Sequence, residues 1–323
     1  MRTITLEEHF ASHAFLDGPG RMVKEHSQQP GSSVFGVAEK LWELGEKRIA
    51  EMDAAGIDVQ VLSLTVPGVE QLDASEAVPI ARDENDLLAE AVRKHPDRFA
   101  GFAALPTPAP EKAAEELERT VREYGFKGAL INGHARGRYL DDPFFSPILE
   151  RAEALNVPIY VHPTRPPKAV IEASYAGFAP AVVDVFASYG WGWHIETAVH
   201  VIRLAVGGVF DRFPKLQIII GHLGEGLPFM LPRMAALKPV TKNLRRPVTD
   251  YFRENVHYTF GGFNFTSTFL NLLMEVGVDR IMFSTDYPYA PMDQARSFLE
   301  GLPVSPSDRE KIAHGNAERL LGM

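Results

Sequence analysis

The chain has 323 residues, 45% of them hydrophobic and 23% charged, with a net charge of −9 and no cysteine. This is ordinary globular composition with ample material for a core. An acidic chain without a Lys/Arg block is poorly suited to nucleic acid or an anionic membrane. The lack of cysteine excludes thiolate metal sites, cysteine nucleophiles and disulfides. Glu7 and Glu8 arrive before an apolar leader can form. No stretch reaches the ~18 uninterrupted apolar residues of a membrane helix. These features predict a cytoplasmic protein.

Short apolar runs alternate with longer helical patterns. In chain order, the strand-like run Thr3–Leu6 is followed by a long stretch, Ala11 to Glu39, and a helical pattern at Lys47–Ala55. Then come Val59–Ser63, a helix at Ile80–Arg93, Phe99–Ala104, a helix at Glu111–Tyr124, Gly128–Ile131, a helix at Phe144–Leu155, and Pro158–Val161. After a second long stretch, Pro163 to His194, follow a helix at Glu196–Phe210, the runs Gln217–Gly221 and Val256–Thr259, a helix at Thr266–Val276, and Arg280–Phe283. Most of the strand-like runs are β-branched or aromatic and lack polar alternation, which suits parallel strands buried on both faces. Eight such runs alternating with helices predict an α/β fold, a (β/α)8 TIM barrel in a single domain spanning 1–323. A doubly wound sheet would want a glycine-rich turn after the first strand, and Glu7-Glu8-His9-Phe10 is not one. The two long stretches read as insertions after strands one and five, on the face where barrel active sites are built.

The C-terminal strand ends carry the chemistry. Strand one ends in Glu7-Glu8-His9, strand five in His162, strand six in His222 with Glu225 close behind, and strand eight in Asp286. Side chains alternate along a strand, so Glu7 and His9 point together and Glu8 points oppositely. Each residue alone has an ordinary reading: a core histidine, or for Asp286 a helix N-cap. Four strand ends delivering imidazoles and carboxylates to one rim predict instead a divalent metal. Imidazole with oxygen donors suits Zn²⁺, Mn²⁺ or Fe²⁺, and oxygen-dominated sets suit Mg²⁺. His13, His26, His95, His194 and His314 read as ordinary histidines of loops and helix faces, and His200 as a packed helix residue. His257 is placed near the ligands, and His134 in the pocket lining.

At these residues the chain resembles the amidohydrolase superfamily, and more narrowly its non-oxidative decarboxylases of the γ-resorcylate, 2,3-dihydroxybenzoate and aminocarboxymuconate-semialdehyde type. The similarity runs through Leu6-Glu7-Glu8-His9-Phe10, Pro96-Asp97-Arg98-Phe99, Gly128 to Gly133, Tyr139-Leu140-Asp141-Asp142-Pro143, Val161-His162-Pro163, Gly221-His222-Leu223-Gly224-Glu225 and Ser284-Thr285-Asp286-Tyr287-Pro288. The resemblance implies Glu7, His9, His162 and Asp286 as metal ligands. It implies one metal, because the bridging lysine of the binuclear hydrolases has no counterpart between Gly128 and Gly133. The chain departs from the hydroxybenzoate decarboxylases at Thr259-Phe260-Gly261-Gly262-Phe263, at Tyr289 and in the Pro163 to His194 stretch. These departures touch the pocket wall.

The resemblance further implies a small aromatic carboxylate as substrate and a homodimer or homotetramer. In this reading Asp286 delivers a proton to the ring carbon that bears the carboxylate. His222, oriented by Glu225, bonds the phenolic oxygen. Arg48 and Arg233 are candidates for the substrate anion, with Arg233 acting across a subunit interface, and Tyr289 and His134 for the pocket wall. The alternative is a hydrolase of a lactone, amide or ester, in which the same metal activates water and Asp286 takes its proton.

Overall fold

The computed structural model describes residues 1–323. Nine strands form two parallel sheets. β1 (Ile4–Phe10), β2 (Val59–Leu64) and β3 (Phe99–Gly101) make the first. β4 (Ala103–Ala104), β5 (Ala129–Asn132), β6 (Ile159–His162), β7 (Ile218–Ile220), β8 (Val256–Thr259) and β9 (Ile281–Met282) make the second, in that order.

The expected continuous eight-strand ladder is interrupted. The run Phe99–Ala104 breaks at Phe102, whose N–H turns to Leu62 O (2.9 Å) while the next N–H, of Ala103, turns to Gly128 O (2.9 Å). At the other seam, the Leu6 N–H reaches Phe283 O just beyond β9 (3.2 Å). The two sheets therefore abut at both edges without forming one ladder. Inside them lies an apolar cluster that includes Ile4, Leu6, Val61, Phe102, Tyr160 and Ile219. Ala317 and Leu321, from the last helix (Asn316–Leu321), join this cluster and stop one end of it.

The helices follow the periodic patterns with shifted ends. The helix predicted at Ile80–Arg93 runs Ala74–Lys94, and that at Glu196–Phe210 runs Gly192–Val206 and stops at Gly207-Gly208. The stretch after β1 carries short helices at His13–Asp17, Arg21–Ser27 and Val37–Leu41. The stretch after β6 carries Lys168–Ser174 and Pro180–Phe186. No helix is long and apolar enough to cross a membrane.

One local departure positions the site. Ile4 and Leu6 face the inner cluster, so strict alternation would turn Glu8 inward and Glu7 and His9 outward. The register between β1 and β2 slips between Leu6 and Glu8, and Glu7 has φ 75°. This bulge adds one residue and resets the alternation. Glu7 and His9 turn inward, and Glu8 is left to bind the neighbouring segment.

Glu8 is fully buried there. One oxygen accepts from the Thr285 N–H (2.8 Å), and the other from the Thr285 hydroxyl (2.6 Å) and the Tyr287 N–H (3.3 Å). It thus fixes the backbone on both sides of Asp286. Glu8→Ala strands two buried N–H groups at about 1–3 kcal/mol each, so the melting temperature should fall by roughly 10 °C. A calorimetric melt of the purified variant checks this.

Candidate metal centre at the strand ends

β1, β6 and the segment after β9 bring His9, His162 and Asp286 together, with one ligand atom from each lying within 4.8 Å of the others. His9 Nε2 stands 3.3 Å from Asp286 Oδ1, and His162 Nε2 stands 3.6 Å from Glu7 Oε1. The rings of His9 and His162 meet edge to face at 4.9 Å. The His162 Nδ1–H donates to Pro163 O (2.9 Å), which leaves the Nε2 lone pair aimed inward.

Whether these groups suit a metal is answered by what they lack. His9 Nδ1, His9 Nε2 and Glu7 Oε1 are buried and have no hydrogen-bond partner in the protein. Orphaned buried polar atoms are costly, and Glu7 Oε1 with one His9 ring nitrogen, left unpartnered beside His162 and Asp286, call for a cation. Burial, with Arg48 and His222 adding to it, holds His9 down to about 3. Burial, with His9 and His222, holds His162 well below the ordinary histidine range. Both imidazoles are thus neutral, the form that ligates. Burial raises Glu7, and burial together with the Glu7 carboxylate raises Asp286 well above the carboxylate range. A divalent ion among them would relieve that crowding. The donor set of two imidazoles and two carboxylates fits one first-row divalent metal.

Glu7 sits in a mould. Its Oε2 accepts from the Tyr160 hydroxyl (2.5 Å) and lies 3.2 Å from the Thr259 hydroxyl. A Cβ at Gly221 would stand 2.5 Å from both carboxylate oxygens, and one at Gly261 would stand 2.5 Å from Oε2. Bare backbone at 221 and 261 is what leaves room for the carboxylate.

Beside the ligands lies a charged relay. His222 Nδ1 is 2.6 Å from Glu225 Oε1, and Glu225 Oε2 is 2.6 Å from His194 Nδ1. His222, Leu223 and Glu225 all have positive φ (50°, 54° and 56°), so the chain after β7 coils tightly and folds Glu225 back under His222. Burial pulls His222 down, but Glu225 and Glu7 outweigh it and push it up to about 10. Burial pulls Glu225 up, and His222 with His194 overcomes this and holds it at about 2. The pair is an imidazolium–carboxylate pair, with the Nδ1–H of His222 given to Glu225 and that nitrogen 3.7 Å from Glu7 Oε1.

His194, expected to be an ordinary loop histidine, is thus a partner of this relay. It opens the helix Gly192–Val206 after a segment without clear period, so nothing local marked it. Phe263 walls the same corner, its ring 5.0 Å from His222 and 5.1 Å from His194.

Tyr289 meets His9 edge-on at 5.5 Å, and its hydroxyl lies 2.5 Å from that of Thr65. The other anticipated contacts differ. Arg48 is fully buried, donates to Gln60 Oε1 (2.7 Å) and His9 O (2.8 Å), and lies over the Tyr287 ring. It braces the backbone behind His9 and is not exposed to a substrate. His134 spends Nδ1 on the Gly137 N–H (2.9 Å) and Nε2 on Arg165 O (3.1 Å), so its ring ties two loops together. Arg233 is exposed on the helix Leu227–Met234, with no ion-pair partner in this chain. His257 enters β8 at the opposite end of the strands, beside Gln217 and Arg280.

A metal centre of this make-up at the ends of parallel strands defines a metal-dependent α/β enzyme. The amidohydrolase family model matches residues 35–323, and the chain belongs to that family. It is 40% identical to γ-resorcylate decarboxylase from a Polaromonas species over 330 residues, covering 98% of both chains. The enzyme of the same name from Rhodococcus jostii is 38% identical, again covering 98% of both. Among solved structures, dihydroxybenzoic acid decarboxylase from Polaromonas, with bound manganese and the inhibitor 2-nitroresorcinol, superposes with a TM-score of 0.89 at 39% identity, covering 99% of this chain and 97% of that one. The 5-carboxyvanillate decarboxylase of Novosphingobium aromaticivorans, complexed with manganese and 4-hydroxy-3-methoxy-5-nitrobenzoic acid, gives 0.92 at 34% identity, covering 100% and 96%.

The mould around Glu7 makes a direct prediction. Gly261→Ala drives a methyl group into Oε2 and displaces the carboxylate, so metal affinity should fall about 10–100-fold while the protein stays folded. Metal content after dialysis, read by elemental analysis alongside circular dichroism, checks this.

Proposed function

We propose that this protein is a metal-dependent, non-oxidative decarboxylase of an ortho-hydroxylated aromatic carboxylate. The observation that carries this reading is the pairing of a single neutral-imidazole and carboxylate centre with a proton-bearing His222. In the hydrolase alternative Asp286 would take the proton from water and His222 would have no set task, whereas the decarboxylase uses the His222 proton on the phenolic oxygen. The full-length similarity to enzymes named as γ-resorcylate decarboxylases supports the same reading.

Glu7, His9, His162 and Asp286 would hold the metal, here taken as Mn²⁺, with Zn²⁺ and Mg²⁺ as rivals. When bound it would anchor a carboxylate and the adjacent phenolic oxygen together and offset their charge. The chain's own groups do the rest. His222 donates from Nε2 to the phenolic oxygen, held in place by Glu225. Asp286, beside the metal and the ring, carries the proton to the ring carbon that bears the carboxylate. A C–H bond forms there at the expense of ring electrons. The C–C bond to the carboxylate then breaks, its electron pair returns to the ring, and CO₂ leaves. Phe263 and Tyr289 supply aromatic walls for a flat substrate.

The reading extends to architecture. We take the two abutting sheets as one (β/α)8 barrel in a single domain, 1–323, with residues 11–39 and 163–194 as insertions that shape the mouth. We also keep the cytoplasmic location expected from the sequence. A homodimer or homotetramer belongs to the proposal, supported by Phe229 and Met230, which are 76% and 47% exposed beside Arg233, and by Met274 at 84%. Sedimentation velocity at micromolar concentration should show a species of two or four chains and no monomer.

The decisive experiment incubates manganese-loaded protein with isomeric hydroxybenzoates and follows phenol and CO₂ separately. An ortho-hydroxybenzoate should yield both, and high bicarbonate should drive the reverse carboxylation. The para isomer should be inert, and Asp286→Asn should lower the rate about 10²–10⁴-fold. Cleavage of a lactone or amide, with no ortho-hydroxylated acid turned over, would replace this reading with the hydrolase.

A further inference from the structure

At the opposite end of the strands from the metal centre lies a second hollow, a cavity of about 670 Å³. Gln217 stands just before β7, His257 is the second residue of β8, and Arg280 stands just before β9. Lys215 and Asp279 complete the polar wall on that side. Arg319 reaches it from the last helix, the one whose Ala317 and Leu321 stop the inner cluster.

The charge in this hollow is one-sided. Lys215, Arg280 and Arg319 line it, and none of them has a carboxylate within ion-pair distance. The one acid in the wall, Asp279, pairs with Lys311 (3.0 Å). Arginines nearby behave differently: Arg246 pairs with Glu254, and Arg253 with Glu275. Arg280 spends Nη1 on Gln217 Oε1 (3.2 Å) and His257 Nε2 (2.9 Å), and Arg319 spends Nη2 on Asp279 O (2.8 Å) and Asn316 Oδ1 (2.9 Å). These bonds aim the guanidinium groups without neutralising them.

His257 adds a second, independent observation. It is only 4% exposed, and because Nε2 accepts from Arg280, the ring proton sits on Nδ1. That Nδ1 has no partner in the protein. Burial, with Arg280 and Arg319 adding to it, holds His257 down to about 3. Burial and Arg319 also pull Arg280 below its ordinary value. Cations that repel one another in a concave wall form a focused positive potential on a protein whose net charge is −9.

We propose that this hollow is a binding site for a small, multiply charged oxyanion, held between Arg319 of the last helix and Lys215 and Arg280 at the strand starts. The volume exceeds that of one phosphate group, so the ligand class is a small organic anion bearing phosphate or two carboxylates. Bound there, it joins the closing helix to the strands and stabilises the far end of the fold. The site stands apart from the metal and does not depend on the proposed reaction.

The test uses the metal-loaded enzyme with inorganic phosphate and succinate as probes, and potassium chloride at matched ionic strength as the control. Titration calorimetry and thermal melts are read for wild type, the Lys215→Ala/Arg319→Ala double variant and Arg280→Gln. Wild type should bind at least one probe with a Kd below roughly 1 mM and should melt higher in its presence, as any ligand selective for the folded state requires. Both variants should bind at least about tenfold more weakly. Each variant's melt without anion serves as its own baseline, because Arg319→Ala also removes the bonds to Asp279 O and Asn316 Oδ1. A response to phosphate alone assigns a phosphate-bearing ligand, one to succinate alone a dicarboxylate, and one to both an oxyanion in general. The proposal is overturned if wild type shows nothing beyond the chloride control. It is equally overturned if both variants bind as wild type does, since the anion would then sit elsewhere, at the metal included.

Discussion

Left-handed backbone at the strand ends is the constraint on which this molecule is organised. Glu7, His222, Glu225 and Asp286 all adopt positive φ, at 75°, 50°, 56° and 64°. None is glycine, and each such residue costs about 1–3 kcal/mol unless its surroundings enforce it. The enforcement is visible. The bulge that holds Glu7 is closed by Tyr160, Thr259 and two bare glycines. The turn at Asp286 is gripped on both sides by Glu8. The coil at His222 is locked by Glu225 and, through it, His194. Strain at one strand end is thus offset by bonds drawn from its neighbours, and the residues of the candidate metal centre cannot relax singly.

The two ends of the strands carry opposite electrostatics. At the C-terminal ends, three carboxylates (Glu7, Glu225 and Asp286) stand among imidazoles, a set that a divalent cation would balance. At the N-terminal ends, Lys215, Arg280 and Arg319 gather without a paired acid. The apolar inner cluster, from Ile4 and Leu6 to Ile219, separates the two fields. Low-polarity filling preserves both potentials, because little water reaches between them to screen either one.

Much of this was legible in the sequence, for identifiable reasons. Strands buried on both faces appear as short β-branched runs, so all eight runs were found. Strand ends stand next to turn residues, so the sequence could point to the ends where His9, His162 and Asp286 come together beside Glu7, and their role as ligands belongs to the proposal. The sequence could not show how the alternation at Glu7 and His9 would be reconciled with Leu6, because a bulge has no hydrophobic period of its own. Nor could it show that Phe102 divides one run between two sheets. Arg48 and His134 were assigned by residue type, and their bonds to His9 O, Gly137 and Arg165 depend on the folded chain. His194 lay in a segment whose address is set only by tertiary packing.

The mould around Glu7 has a consequence for how such a site can be inherited. The carboxylate belongs to β1, its hydroxyl partners to β6 and β8, and the vacant space around it to Gly221 and Gly261 beyond β7 and β8. No one of these segments carries a metal site by itself. A designer who moved the Glu-x-His pair alone onto another barrel would transplant two ligands and leave behind the room they occupy. Four strands therefore form the smallest unit that carries the site, and a change at any of positions 7, 160, 221, 259 and 261 calls for an answering change at the others.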